Sequence, residues 1–114
     1  MTAKIVKYNN DIIIPKIDLD NQFCELKVSD DYEILYNDKV TIKLGYGLIY
    51  DEEYDLVINY NNELVAESIK VDTFIDPNGS EIVINIANVG NKIIKLKKGD
   101  TLLKLNSVKK IRLE

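Results

Sequence analysis

The sequence predicts an all-β fold, a small jelly-roll-like β barrel with at most one short helical turn. Three observations carry this. Apolar residues alternate with period two, as in Val40, Ile42, Leu44 and again in Ile82, Ile84, Ile86, the pattern of strands with one buried face. β-branched residues and Tyr fill these runs, as strands prefer. Turn signals recur between them, the strongest being Asp76-Pro77-Asn78-Gly79, where Pro presets φ and Asn or Gly accepts positive φ.

Taken in order, the runs predict strands over 3–8, 11–14, 23–28, 32–36, 39–50, 54–60, 70–75, 81–88, 92–96 and 101–105, with 108–113 a last strand or an arm. Asn37-Asp38, Val89-Gly90-Asn91 and Lys98-Gly99-Asp100 supply further turns. Residues 62–68 break the alternation and suit one or two helical turns, with Asn62 as N-cap and Glu63 in the first turn.

A chain of 114 residues fits one domain. Residues 1–22 and 106–114 flank its core and are expected to act as docking arms, the second of them basic. No apolar run is long enough to span a membrane. The N-terminus has no signal-peptide pattern, so a cytoplasmic protein, or one assembled in the cytosol, is expected. Cys24 is the one cysteine, which excludes an internal disulfide. It sits in an alternating strand pattern and is expected in the core. The chain has no histidine, so Cys24 lacks a histidine base that could make it a nucleophile.

Charge is polarised along the chain. Residues 1–91 hold 7 Lys against 17 acids, and residues 92–114 hold 8 Lys plus Arg against 2. Such ends can pair with each other or with a neighbouring subunit. The basic end carries no aromatic residue for base stacking, which argues against nucleic acid as a partner. The acidic run Asp51-Glu52-Glu53-Asp55 lacks calcium-loop spacing and reads as a solvated loop.

From Phe23 to Leu105 the order of motifs resembles the trimeric dUTPase and dCTP-deaminase superfamily. Phe23-Cys24-Glu25-Leu26 falls at the family's first motif, and Gly45-Tyr46-Gly47-Leu48 at its Gly-containing loop. Asn59 to Ala66 falls at its phosphate loop. Phe74-Ile75-Asp76-Pro77 falls at the Ile-Asp step of the uridine hairpin, and Gly99-Asp100 to Leu105 at the closing turn. The resemblance implies a homotrimer and places Asp76 in the water-activating and sugar-reading region.

The same resemblance shows what has changed. Where the family places a phosphate-gripping arginine, the chain reads Asn59-Tyr60-Asn61-Asn62-Glu63. The closing turn has Thr101 and Lys104 in place of Arg and Gln, and Arg112 is the only arginine. One lost transition-state donor lowers a rate by about 10²–10³. On this ground the sequence is expected to encode no enzyme and to hold no cofactor or metal. A trimeric viral or phage particle component is expected, such as an auxiliary capsid or head-decoration protein with capsid or assembly partners. Two alternatives stay open: a divergent nucleotide pyrophosphatase using Asp76 and Lys104, and a regulatory module that binds nucleotide without turnover. Asp76 and Asp100 also have a plain turn-forming reading.

Overall fold

The computed structural model describes residues 3–18, 23–60 and 69–111. These form eleven strands, here β1 (Ala3–Lys7), β2 (Lys16–Asp18), β3 (Phe23–Lys27), β4 (Tyr32–Ile34), β5 (Lys39–Lys43), β6 (Tyr46–Tyr50), β7 (Tyr54–Tyr60), β8 (Ile69–Thr73), β9 (Val83–Asn88), β10 (Ile94–Leu96) and β11 (Thr101–Lys109). No helix occurs among the described residues. The expected helical turn at 62–68, Glu63 and Arg112 all lie outside them.

The strands pair antiparallel throughout, in four sheets ordered β1-β6, β4-β10, β2-β3-β11-β7 and β5-β9-β8. The arrangement is all-β and jelly-roll-like, but the sheets do not join into a closed hydrogen-bonded barrel. They enclose one core, in which Leu26, Val28, Ile34, Ile42, Leu44, Tyr46, Ile84, Leu103 and Leu105 are almost fully buried. The period-two pattern places these side chains there. On β5 and β9 the inward rows Val40–Ile86 and Ile42–Ile84 face each other in register, leaving Thr41 and Asn85 to solvent. Cys24 packs in this core, and burial followed by the charge of Glu25 pushes its thiol up to about 12, which suppresses the reactive thiolate.

Four sequence expectations need correction. The run 39–50 is two strands, because Gly45 takes φ of 80° and turns the chain between them. The run 11–14 is not a strand. There Ile13 N–H donates to Ser29 Oγ at 2.8 Å, and strand pairing starts only after the buried Pro15. The two arms also change character. β1 pairs along its whole length with β6, and β2 pairs with β3. Asn106–Lys109 prolong β11 against β7 as far as Tyr54. Parts of both arms thus pair within their own fold, while β1 and β2 each pair on one side only among the described strands. Finally, the adjacent apolar residues Leu102-Leu103 depart from the alternation expected of a one-sided strand. A register shift between Thr101 and Leu103 turns both side chains into the chain's own core. Ile14 and Ile93 remain about half exposed, at 56% and 47%.

Two polar groups sit in the interior with opposite outcomes. The Asn88 amide donates to Ile34 O at 3.1 Å and Lys92 O at 2.7 Å and accepts from Gly90 N–H, tying the end of β4 to the turn between β9 and β10. The Tyr46 hydroxyl is fully buried close to Cys24 and the Lys27 backbone but completes no hydrogen bond. Burial, the nearby Cys24 and only a weak offset from that backbone raise its pKa well above the ordinary tyrosine value. A desolvated hydroxyl without a partner is destabilising. Tyr46→Phe is therefore expected to stabilise the protein by about 1 kcal/mol. Urea unfolding would measure this, and a loss of stability would show that the hydroxyl has a hidden partner.

Candidate active site

The segment from Phe74 to Ile82 carries Asp76 and lies across β6 without forming a full strand. Glycine permits the approach. A Cβ on Gly47 would sit 2.2 Å from Gly79 O and 2.3 Å from Ser80 O, well inside any allowed contact. Gly79 itself takes φ of 88°, and a Cβ there would meet Ile49 and Val6 at 2.9 Å. Backbone bonds then fix the segment at several points. Tyr50 N–H donates to Pro77 O at 3.2 Å, Ile82 N–H to Tyr46 O at 2.9 Å and Leu44 N–H to Ile82 O at 3.1 Å, and Ile49 bridges Asn78.

Two tyrosine hydroxyls hold its ends. Tyr50 Oη donates to Ile75 O at 3.1 Å, and Tyr8 Oη donates to Gly79 O at 2.6 Å. These bonds bracket Asp76. The sequence contained no local sign of Tyr8's role, since the hydroxyl and its acceptor are 71 residues apart. Burial and the charges of Asp76 and Asp55 raise the Tyr50 phenol above its usual value, so it stays a neutral donor at physiological pH.

Asp76 occupies the first position of the turn expected from Asp-Pro-Asn-Gly. Its Oδ1 accepts from Asn78 N–H at 2.7 Å. The Ser80 hydroxyl and the Asn78 N–H both favour the charged form and hold the carboxyl below the usual aspartate range. The residue is partly exposed, so a ligand from outside can reach the carboxylate. Lys104 lies elsewhere, on β11 opposite Glu25 of β3, with its Nζ 4.0 Å from that carboxylate. Asp76 and Lys104 form no hydrogen bond or ion pair with each other. The structure does not bring the two together within one chain.

Other residues singled out by sequence are placed as follows. Asn59 and Tyr60 end β7, and the remainder of that loop, Asn61 to Glu63, lies outside the described residues. Asp100 accepts from Lys97 N–H at 2.8 Å and shapes the turn before β11. Asp51 caps its own loop by accepting from Glu53 N–H at 2.9 Å, and Asp55 meets Lys110 at 3.6 Å. That last pair joins the acidic loop to the basic end of the chain, but both side chains are exposed and the pair contributes little. No group of three or more metal-ligating side chains gathers among the described residues. A cleft of about 780 Å³ opens beside the segment, between Tyr8, Asp11, Asp30, Tyr32, Lys43 and Glu81. Its mixed charge suits a triphosphate poorly.

No family model matches the sequence, and no curated protein matches it. Solved structures do. A point mutant of the dUTPase from phage phi11 of S. aureus superposes with a TM-score of 0.80 at 14% identity, covering 100% of this chain and 94% of that one. The Staphylococcus bacteriophage 80alpha dUTPase with dUpNHpp gives 0.78 at 12% identity, covering 99% and 85%. A mutant of the same phage dUTPase gives 0.79 at 14%, covering 99% and 93%. Those 80alpha enzymes are described as controlling transfer of virulence genes by a proto-oncogenic G protein-like mechanism.

These matches correct one expectation drawn from the sequence. A protein that is not an enzyme was expected, yet the solved chains that share this fold are dUTPases, and the fold gives that expectation no support.

Two outcomes test the geometry. Gly47→Ala should cost about 2–3 kcal/mol, the usual penalty of overpacking, and should broaden or shift the amide resonances of residues 76–80. A mutant as stable as the parent would show that the segment is not seated on β6. For Asp76, whose pKa is depressed in the folded chain, the stabilising charge is present above the ordinary value of 3.8 and is lost as pH falls through the lower folded value. The Asn78 amide shift should therefore titrate with a midpoint below 3.8. A midpoint at or above that value would contradict the hydrogen bonds described. The chain has the dUTPase-like fold.

Proposed function

We propose that the chain is a divergent nucleotide pyrophosphatase of the dUTPase type, splitting a deoxyuridine triphosphate and water into the monophosphate and pyrophosphate. The observation that carries this reading is Asp76. An ionised, solvent-facing carboxylate stands on a turn fixed by Tyr8, Tyr50 and Gly47, at the place where the fold's resemblance puts the water-activating residue. Its low pKa makes it a weak base but a dependable hydrogen-bond acceptor. Its role is to orient the attacking water and receive its proton as the phosphorus–oxygen bond breaks.

Lys104 is the proposed phosphate-facing cation. Its side chain is 48% exposed, and its contact with Glu25 is long, so a phosphate oxygen can compete for it. In this reading Asp76 and Lys104 come from different protomers of a homotrimer, the assembly that the resemblance implies. The described residues form no metal cage, and no step is assigned to a protein-held ion. A phage-type enzyme of this kind would work in the cytoplasm. The capsid or head-decoration role, with its capsid partners, was inferred from an empty site and gives way to the nucleotide reading.

The phage dUTPases that act through a G protein-like mechanism favour one second reading, in which nucleotide binding itself is the signal. Pyrophosphate release from dUTP and dCTP with Mg²⁺ separates the two. Turnover of dUTP that falls about 10²–10⁴-fold in Asp76→Asn supports the enzyme. Calorimetric binding without product supports the regulatory reading. Neither heat nor product at millimolar nucleotide would sink both.

A further inference from the structure

The outer face of the β5-β9-β8 sheet holds a second constellation that the proposed reaction does not use. Its first row runs Lys39, Ala87, Lys70 across the three strands, and the next runs Thr41, Asn85, Asp72. Cross-strand partners project to the same face, so the two lysines flank the small Ala87 with about 10 Å between their Cα atoms. A hollow of about 380 Å³ lies over these rows. A larger residue at 87 would fill it.

The hydrogen-bonding in this hollow is one-sided. Thr41 Oγ1 donates to Asn85 Oδ1 at 2.8 Å, which occupies the Asn85 carbonyl and fixes the amide orientation. The Asn85 NH₂ then points its donors elsewhere, and no acceptor meets them among the described residues. Lys39 and Lys70 likewise have no ion-pair partner among the described residues. Asp72 shares the neighbouring row and caps the positive field on that side. Three donor groups thus surround a small floor with their acceptors missing, two of them cationic. That arrangement suits a small, highly charged oxyanion.

We propose that this cradle binds a phosphate dianion, either free or as the terminal group of a small ester, through Lys39, Lys70 and the Asn85 amide. The site is separate from Asp76 and does not depend on turnover. The test titrates the ¹⁵N-labelled full chain at low salt with inorganic phosphate in one arm and dUMP in the other. Saturable shifts are expected at the Asn85 side-chain NH₂ and the Ala87 amide, weakening as salt screens the charges. The double variant Lys39→Ala, Lys70→Ala should bind about tenfold more weakly while keeping a dispersed spectrum. Asp76→Asn should bind as the parent does, so this result stands whatever becomes of the pyrophosphatase reading. Tighter binding of phosphate identifies the free anion as the ligand, and tighter binding of dUMP identifies the ester. Absence of saturable shifts at Asn85 with both ligands overturns the proposal. So does binding that the double lysine variant leaves unchanged, or that Asp76→Asn abolishes.

Discussion

Gly47 has no side chain where the Gly79 and Ser80 carbonyls need the space, and much of the molecule is arranged around that contact. It lets a non-strand segment lie on β6 at backbone distance. Once there, the segment offers the Pro77 carbonyl to the Tyr50 N–H, and its Ile82 N–H takes the Tyr46 carbonyl in return. The same seat explains why β6 can pair with β1 on one edge and still have its other edge covered. Leu44, Ile82 and Tyr46 are linked in sequence by two backbone bonds. That link carries the chain from the β5-β9-β8 sheet to the β1-β6 sheet with few polar groups left bare in the core.

The polar interior follows from this geometry. Asn88 keeps its buried position by satisfying three partners, one at the end of β4 and two in the turn that follows β9, and removing it would strand several backbone groups at once. Tyr46 shows the reverse. Its ring fills the centre of the core, and its hydroxyl is carried there at a cost because no acceptor has the right direction. The bulk of a tyrosine ring and the position of its oxygen cannot be chosen independently.

Much of this was legible in the sequence, and the parts that were not share a physical cause. Alternation located eight of the eleven strands to within a few residues and covered β5 and β6 in a single run, since burying one face of a strand leaves a period-two record. The turn at Asp76 was legible because Pro, Asn and Gly act locally. Gly45 was visible as a residue but not as a strand break, because only its positive φ distinguishes a turn from a continuous run. The Leu102-Leu103 bulge was not legible because consecutive apolar residues leave no period-two record, and only the register shows that both point inward. At the site, Asp76 was found by its motif and the tyrosines that hold it were not. A hydroxyl bonded to a carbonyl 71 residues away leaves no pattern in a linear chain.

The fold survives at 12–14% identity to solved dUTPases because a core needs apolar volume in the right pattern rather than particular residues. Chemistry is less forgiving, and so the residues to weigh are those that the fold does not require. Gly47 and Gly79 are explained by space, Tyr46 and Leu103 by the core, and Asp100 by its turn. Asp76 is explained only in part. An asparagine would accept the Asn78 N–H and the Ser80 hydroxyl, more weakly than a carboxylate, and would form the same turn. The negative charge strengthens those bonds, but the turn does not require it. It is held ionised on a partly exposed turn fixed from both ends, where a partner from outside the chain can meet it.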